Sequence, residues 1–190
     1  MLRALAPIAL AATLSGCGIN SVPTSEENAK ARWADVQAAY QRRADLIPNL
    51  VATAKGAATF EERTLTNITQ ARARATQVQV SPEQLSDPNA VQRYAQAQSA
   101  LALAVRPLQE AYPQLQSQAN FGTLMQQLEG TENRINIAVR DYNTAVQEYN
   151  TRIRTFPDAI GARVIHGAKP LTPFQAVTPG AERAPQVNFD

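Results

Sequence analysis

The sequence predicts an all-α protein, an elongated antiparallel bundle of three to four long helices. Apolar residues recur at alternating spacings of three and four over several long stretches, which is the pattern of a helix with one buried face. No stretch shows the strict alternation of apolar and polar residues that a half-buried strand requires. The chain has 190 residues, of which 44% are hydrophobic and only 8 are glycine, so it is long enough for one helical domain with its own core.

The composition argues against several functional classes. The formal net charge of +2 is too small for nucleic-acid binding, which needs clustered basic residues. One cysteine cannot form an internal disulfide, and one histidine, His166, cannot form the two-histidine sites of zinc or di-iron proteins. Glycine-rich phosphate loops, a nucleophile elbow and an HExxH motif are also missing from the sequence. We therefore expect no enzymatic activity, no cofactor, no metal and no nucleic-acid partner.

Residues 1–16 have the features of an export signal, a short apolar core followed by small residues. The apolar core is too short to span a bilayer as a permanent helix. Leu14-Ser15-Gly16-Cys17 resembles the lipobox of bacterial lipoproteins, which implies cleavage before Cys17 and acylation of its thiol. An ordinary secreted protein with a stray cysteine is the alternative. We expect a protein exported and anchored to the bilayer of the inner or outer bacterial membrane through Cys17, its bundle facing the periplasm or the cell exterior.

A lipidated N-terminus and polar tether is predicted for residues 17–25, and the helical bundle for residues 26–166. The first helical pattern begins at about Glu26, and its register survives Pro48. Proline removes one backbone hydrogen bond and clashes with the carbonyl group four residues earlier, here that of Ala44. The first helix is therefore expected to be kinked or broken near Pro48.

The remaining elements are punctuated by prolines. Ser81-Pro82 and Asp87-Pro88 each combine an N-cap residue with a proline at the first helical position, so they place a break before the next helix. The last long helix extends from Phe121 to Phe156, with one apolar face maintained over five heptads. Residues 167–190 contain four prolines and no apolar period, which predicts an extended or disordered tail.

Polar residues occur on the otherwise apolar helix faces at Arg43, Glu61, Gln98 and Glu132. Because an unpaired buried charge is costly, Arg43 or Arg72 is expected to pair with Glu61 or Glu132. Such contacts would form a structural polar network that fixes the helix register. The alternatives are a carboxylate site for a cation or for catalytic proton transfer, and a slight helix rotation that leaves these residues at the rim.

A row of asparagines accompanies the tyrosines of the last helix. Asn136, Asn143 and Asn150 recur at intervals of seven, and Tyr142 and Tyr149 precede the last two of them. An amide row beside an apolar face usually makes interhelical hydrogen bonds. The alternative is that Asn136, Tyr142, Asn143, Tyr149 and Asn150 form a Tyr/Asn face that binds a ligand or a partner.

Several motifs occur together in the order typical of one bacterial protein family. They are Gln41-Arg42-Arg43-Ala44-Asp45-Leu46-Ile47-Pro48-Asn49-Leu50, Ala71-Arg72-Ala73, Glu110-Ala111-Tyr112-Pro113, Thr131-Glu132-Asn133-Arg134, Tyr142-Asn143, Tyr149-Asn150 and Phe156-Pro157. On these motifs the chain resembles the LemA family over about residues 26–165.

The resemblance implies an elongated antiparallel helical bundle held at a bacterial membrane, with no established catalytic residue or cofactor. Members of the family are usually anchored by an N-terminal hydrophobic helix, whereas this chain has a lipobox. Some relatives are associated with membrane zinc metalloproteases of the envelope stress system. We therefore expect a scaffold or adaptor for an unidentified envelope or membrane protein. Binding of a cell-wall or small-molecule ligand through the Tyr/Asn face is the alternative, and homo-oligomerisation stays open.

Overall fold

The computed structural model describes the backbone of residues 2–56, 62–110 and 119–175, and the side chains of these ranges from residue 20 onward, apart from residues 109, 110 and 119. All regular secondary structure in these ranges is helical, which confirms the predicted all-α class. The elements are α1 (Leu2–Gly56), α2 (Glu62–Gln77), a 3-10 helix (Pro82–Ser86), α3 (Pro88–Glu110), α4 (Ala119–Arg152) and α5 (Asp158–Val164).

The first helix begins earlier than the apolar pattern predicted. It starts at Leu2, so it includes residues 17–25, which were predicted to be a tether ahead of a helix starting near Glu26. Val22, within that stretch, is completely buried. Packing of this apolar side chain stabilises the helix on the N-terminal side of Glu26, where the heptad pattern begins. Tertiary contacts of this kind override local propensity.

The two proline-marked breaks lie where the sequence predicted them. Pro82 begins the 3-10 helix and Pro88 begins α3. The backbone N–H of Ser81 donates a hydrogen bond to Oε1 of Gln84 at 3.0 Å, as in one half of a capping box. Proline is tolerated at both starts because its missing N–H would have no intrahelical acceptor there.

The described residues form two compact units, and α1 and α4 contribute to both. Unit 1 consists of the residues up to Ala39, Ser81–Pro88 and Asn133–Pro173. Unit 2 consists of Tyr40–Val80, Asn89–Glu132 and the residues from Phe174 onward.

In unit 1, α1 and α4 run antiparallel. The ring centroids of Trp33 and Tyr142 lie 5.1 Å apart, and Oγ of Ser21 donates a hydrogen bond to Oδ2 of Asp158 at 2.9 Å. Residue numbers thus rise along α1 as those of the partner residues fall, as the antiparallel prediction requires.

Unit 2 has an apolar core to which all four long helices contribute. Its members are buried and occupy the positions that the heptad pattern assigned to the interior, or positions next to them. They are Ile47, Leu50, Ala54, Leu65, Ile68, Ala75, Leu101, Val105, Leu108, Phe121, Met125 and Leu128.

One prediction at the C-terminal end differs from the structure, and the structure adds packing to a second. Phe156 was predicted to continue the buried face of the last helix, yet its side chain is exposed. Because α4 ends at Arg152, the heptad phase no longer determines which direction Phe156 faces. The tail prediction began at residue 167, and residues 167–175 do lack helix; however, Leu171 and Phe174 are buried, so this part is extended and packed. Residues 176–190 lie outside the described range.

Candidate functional site

Arg43 is the buried centre of a polar cluster in unit 2 that it forms with buried Gln98 and partly exposed Glu132. Its Nη1 donates to Oε1 of Glu132 at 2.9 Å. Its Nη2 donates to the backbone carbonyl of Gln98 at 2.7 Å and to the side-chain Oε1 of the same residue at 3.0 Å. The guanidinium group therefore connects α1 to α3 and α4 through three charge-assisted hydrogen bonds.

The Arg43 guanidinium also lies over an aromatic ring. Its central carbon is 4.9 Å from the centroid of Tyr40, within the range of a cation–π contact. Burial raises the pKa of Tyr40 to about 12, so its phenol stays protonated at neutral pH. Nε of Arg43 is buried and makes no hydrogen bond within the described part of the chain. This side chain is thus held by carboxylate, carbonyl and amide oxygen acceptors and by an aromatic face.

Gln98 extends the cluster to the end of α2. Its Nε2 donates to the carbonyl oxygen of Ala75 at 3.1 Å. Because α2 ends at Gln77, that carbonyl is one of the last in the helix and has no intrahelical donor. Gln98 therefore satisfies a helix terminus with its amide nitrogen while its amide oxygen accepts a bond from Arg43.

Arg72 compensates for a proline in α1. Its Nε donates to the carbonyl oxygen of Ala44 at 2.7 Å. In a regular helix that carbonyl would accept the N–H of residue 48, but Pro48 has none. The helix continues past Pro48 to Gly56, so of the kink or break predicted near Pro48, the break is absent. Arg72 supplies from α2 a hydrogen bond to the carbonyl that the proline leaves without its helical donor.

Replacement of Arg72 by alanine should reduce the free energy of unfolding by about 2 kcal/mol, because a part-buried carbonyl loses a charged donor. In a Pro48→Ala background, the N–H of residue 48 can bond to Ala44, and the same replacement should cost about 1 kcal/mol less. Chemical denaturation of the four proteins measures this coupling. Arg74→Ala, at an exposed position of the same helix, serves as the control. Equal costs of Arg72→Ala in both backgrounds would show that the arginine does not act through the proline.

The contacts of the cluster can be compared with the ion pairs that the sequence predicted. Of the pairings proposed, Arg43 with Glu132 is present, whereas Arg72 bonds to the backbone carbonyl of Ala44. Glu61 lies outside the described residues. The members of the cluster bond to one another or, like Arg72, to helix carbonyls, which is what a register-fixing network does. In the ranges that the structure describes, no group of histidine, cysteine, aspartate and glutamate residues is arranged to hold a metal ion.

The Tyr/Asn face of α4 is covered by the chain's own C-terminal segment, residues 168–173. The hydroxyl group of Tyr142 donates to the carbonyl of Thr172 at 2.8 Å, and that of Tyr149 donates to the carbonyl of Lys169 at 3.1 Å. Asn150 bonds reciprocally to Leu171: its Nδ2 donates to the carbonyl at 2.8 Å, and its Oδ1 accepts the N–H at 2.9 Å. The Tyr/Asn face thus forms hydrogen bonds to the backbone of an extended segment of the same chain.

The remaining amides of the row have other environments. Asn136 is exposed and Asn143 is half-buried. Burial raises the pKa values of Tyr142 and Tyr149, so both hydroxyl groups remain donors at neutral pH. The asparagines of the row thus differ in exposure, and Asn150 bonds to the C-terminal segment. The sequence contained one signal of the packed segment, the apolar side chains of Leu171 and Phe174 among the prolines of the tail.

Replacement of Asn150 by leucine should loosen the C-terminal segment without unfolding α4. It removes two hydrogen bonds to Leu171 at similar side-chain volume, and each is worth about 1 kcal/mol. Amide hydrogen exchange over residues 168–173 should accelerate by about tenfold or more, whereas exchange in the core of α4 should not change. Gln147→Leu, exposed on the same helix, is the matched control. Unchanged exchange of the segment in Asn150→Leu would show that other contacts hold it.

One comparison with known sequences identifies a protein family. No curated protein matches the chain significantly. A sequence model of the LemA family matches residues 32–189, a range that includes the polar cluster, the Tyr/Asn face and the C-terminal segment. The match extends well past residue 165, where the motif resemblance ended, so the proline-rich segment is part of the family sequence. With most of its length matched, the chain belongs to the LemA family.

Proposed function

We propose that this LemA-family protein is a non-enzymatic, lipid-anchored scaffold or adaptor of the bacterial cell envelope. The observation that carries the proposal is the internal use of its distinctive polar side chains. Arg43 and Arg72 bond to helix carbonyls and to Glu132, and Tyr142, Tyr149 and Asn150 bond to the C-terminal segment. Because these polar groups bond within the protein, we infer that it binds its partner through the outer surfaces of its helices.

The attachment to a membrane rests on the sequence at the N-terminal end of the chain. Leu14-Ser15-Gly16-Cys17 has the lipobox pattern, and an acylated cysteine carries enough methylene groups for stable anchoring. Within the described ranges, no helix carries an apolar stretch long enough to cross a bilayer. The proposed anchor is therefore Cys17, with the bundle on the periplasmic or outer side of the inner or outer membrane.

Cys17→Ser tests the anchor. Serine has no thiol to acylate, so labelling with radioactive palmitate should disappear, uncleaved precursor should accumulate, and the protein should no longer fractionate with membranes as the mature form. Ser21→Ala, four residues later in the same helix, is the control and should be processed normally. Unchanged labelling and processing of Cys17→Ser would refute acylation at this residue.

Site-specific photocrosslinking in intact cells tests the adaptor function. Leu103 on α3 and Ile137 on α4 are large apolar side chains that are exposed, so they are suited to contact another protein. A photoreactive residue at either position should capture a defined envelope protein, with Gln92 and Gln147 as exposed polar controls. Absence of any reproducible adduct at both apolar positions would count against an adaptor. Capture of a membrane zinc metalloprotease would identify the adaptor as its modulator.

The alternative function is binding of a cell-wall fragment or small molecule through the Tyr/Asn face, and it requires that a segment of the chain move away. A ligand would have to displace residues 168–173, because Tyr142, Tyr149 and Asn150 already bond to that backbone. A thermal-shift screen with envelope extracts, using the wild-type protein and Asn150→Leu, tests this function. A shift lost in the variant would support it.

A further inference from the structure

Exposed apolar side chains lie just before, within and just after α5. Phe156 is 82% exposed, Ile160 60%, Val164 79% and Ile165 57%. Among the described residues, only Leu103 and Ile137 are other large hydrophobic side chains with comparable exposure, at 41% and 43%. We call Phe156, Ile160, Val164 and Ile165 the α5 patch. Several exposed apolar residues in one short segment mark a surface that contacts something other than water.

The outward direction of the patch follows from the burial of small residues on the other side of α5. Gly161 and Ala162 are buried, and the carbonyl of Ala162 accepts the N–H of Ala168 at 2.9 Å. The N–H of Ile165 bonds to the carbonyl of Gly161 at 3.0 Å. The small residues of the helix therefore face unit 1 and the large ones face outward. A surface helix normally has the reverse arrangement.

The α5 element contacts α1 close to the proposed anchor. Asp158, its first residue, accepts the hydrogen bond from Ser21 at 2.9 Å. Ser21 follows Cys17 by four residues within α1, which is about 6 Å along the helix axis. An acyl chain on Cys17 would therefore hold this end of unit 1 at the bilayer surface.

The charges around the patch fit the same surface. Residues 151–175 contain the basic residues Arg152, Arg154, Arg163 and Lys169, and only one acidic residue, Asp158. The Asp158 carboxylate lies 3.8 Å from Arg152, so its charge is partly balanced. Arg154 and Arg163 are exposed beside the apolar side chains. Apolar residues flanked by arginines are typical of segments that lie in the interface of an anionic membrane.

We propose that the α5 patch inserts into the headgroup region of the bilayer that carries acylated Cys17. Phe156, Ile160, Val164 and Ile165 would contact the acyl boundary, while Arg154 and Arg163 contact lipid phosphates. This inference rests on the proposed acylation and adds to it a fixed orientation: unit 1 lies against the membrane instead of swinging freely on its lipid.

Depth-dependent fluorescence quenching tests the insertion. The processed, lipidated protein carrying Phe156→Trp is reconstituted into vesicles of phosphatidylethanolamine and phosphatidylglycerol that include lipids brominated on the acyl chains. Emission of the added tryptophan should be quenched about twofold more than that of Leu103→Trp, an exposed apolar position on α3, because only the patch enters the interface. Replacing phosphatidylglycerol by phosphatidylcholine should reduce the quenching. The lipidated wild-type protein, without the added tryptophan, gives the background emission of Trp33, which is buried.

Three outcomes decide the proposal. Flotation of the vesicles first establishes that the protein is anchored; failure to float overturns both the acylation and this inference. A floating protein with equal quenching at positions 156 and 103 overturns the insertion alone. Protection of the Phe156→Trp side chain from aqueous acrylamide without quenching by brominated lipid would mean that a protein surface, such as a second copy, covers the patch, and also overturns it. Ile160→Glu with Val164→Glu, both at exposed positions, should abolish the quenching while circular dichroism stays unchanged.

Discussion

Arg43→Ala should reduce the free energy of unfolding by about 3–4 kcal/mol, at the lower end of the range for breaking a buried charge pair. The change removes the donors to Glu132 and to both oxygens of Gln98, and it leaves a cavity next to Tyr40. The side chain of Glu132 is 43% exposed, so its carboxylate can rehydrate, which limits the loss. Chemical denaturation followed by circular dichroism measures the effect.

Two matched variants show whether the loss of stability in Arg43→Ala comes from its hydrogen bonds or from packing. Arg42→Ala removes the neighbouring arginine, which is exposed, and should change stability by less than about 0.5 kcal/mol. Arg43→Met keeps most of the side-chain volume without the hydrogen bonds. If methionine restores wild-type stability, packing accounts for the role of Arg43, because apolar replacement of a buried charge can be neutral. A loss below about 0.5 kcal/mol in Arg43→Ala itself would contradict the assignment of this residue to the core.

Trp33→Ala should be the most damaging single substitution in unit 1, with a loss of about 3–5 kcal/mol. The indole is 1% exposed and its ring lies 5.1 Å from that of Tyr142, tilted by 56°. Deleting it removes both the buried apolar area and an aromatic pair between α1 and α4. Because Trp33 is the only tryptophan, unfolding is best followed by circular dichroism.

Trp33→Phe provides the control, since it keeps an aromatic ring against Tyr142 and should cost clearly less than the alanine variant. Ile137→Ala, at an exposed position of α4, should be nearly neutral. Similar stabilities of Trp33→Ala and Ile137→Ala would contradict the packing described for unit 1.

The heptad pattern predicted which residues of the long helices are buried, and it did so even where the residue was polar. Arg43 and Gln98 were assigned to the interior by spacing alone, and both are buried. Spacing succeeded because an intact helix repeats its direction every 3.6 residues, whatever the side chain. It failed at Phe156, where the helix had already ended.

The partners of the polar residues were less predictable. Charge complementarity suggested the pairing of Arg43 with Glu132, but nothing in the sequence showed that Arg72 would bond to a carbonyl beside Pro48. To predict that bond, one must know which helices are adjacent and how their residues align along the helix axes. The docking of residues 168–173 on Tyr142 and Asn150 was missed for a related reason, because an irregular segment has no period from which its contacts can be inferred.

The way unit 1 is put together constrains when it can fold. Its three stretches come from opposite ends and the middle of the chain, and Thr172 donates its N–H to the carbonyl of Leu85 at 2.8 Å. A chain that is made or exported with its N-terminus first presents the residues of α1 before those that complete their packing. Closure of unit 1 must await the last few dozen residues, and truncation before Thr172 should leave a chain that stays sensitive to proteases.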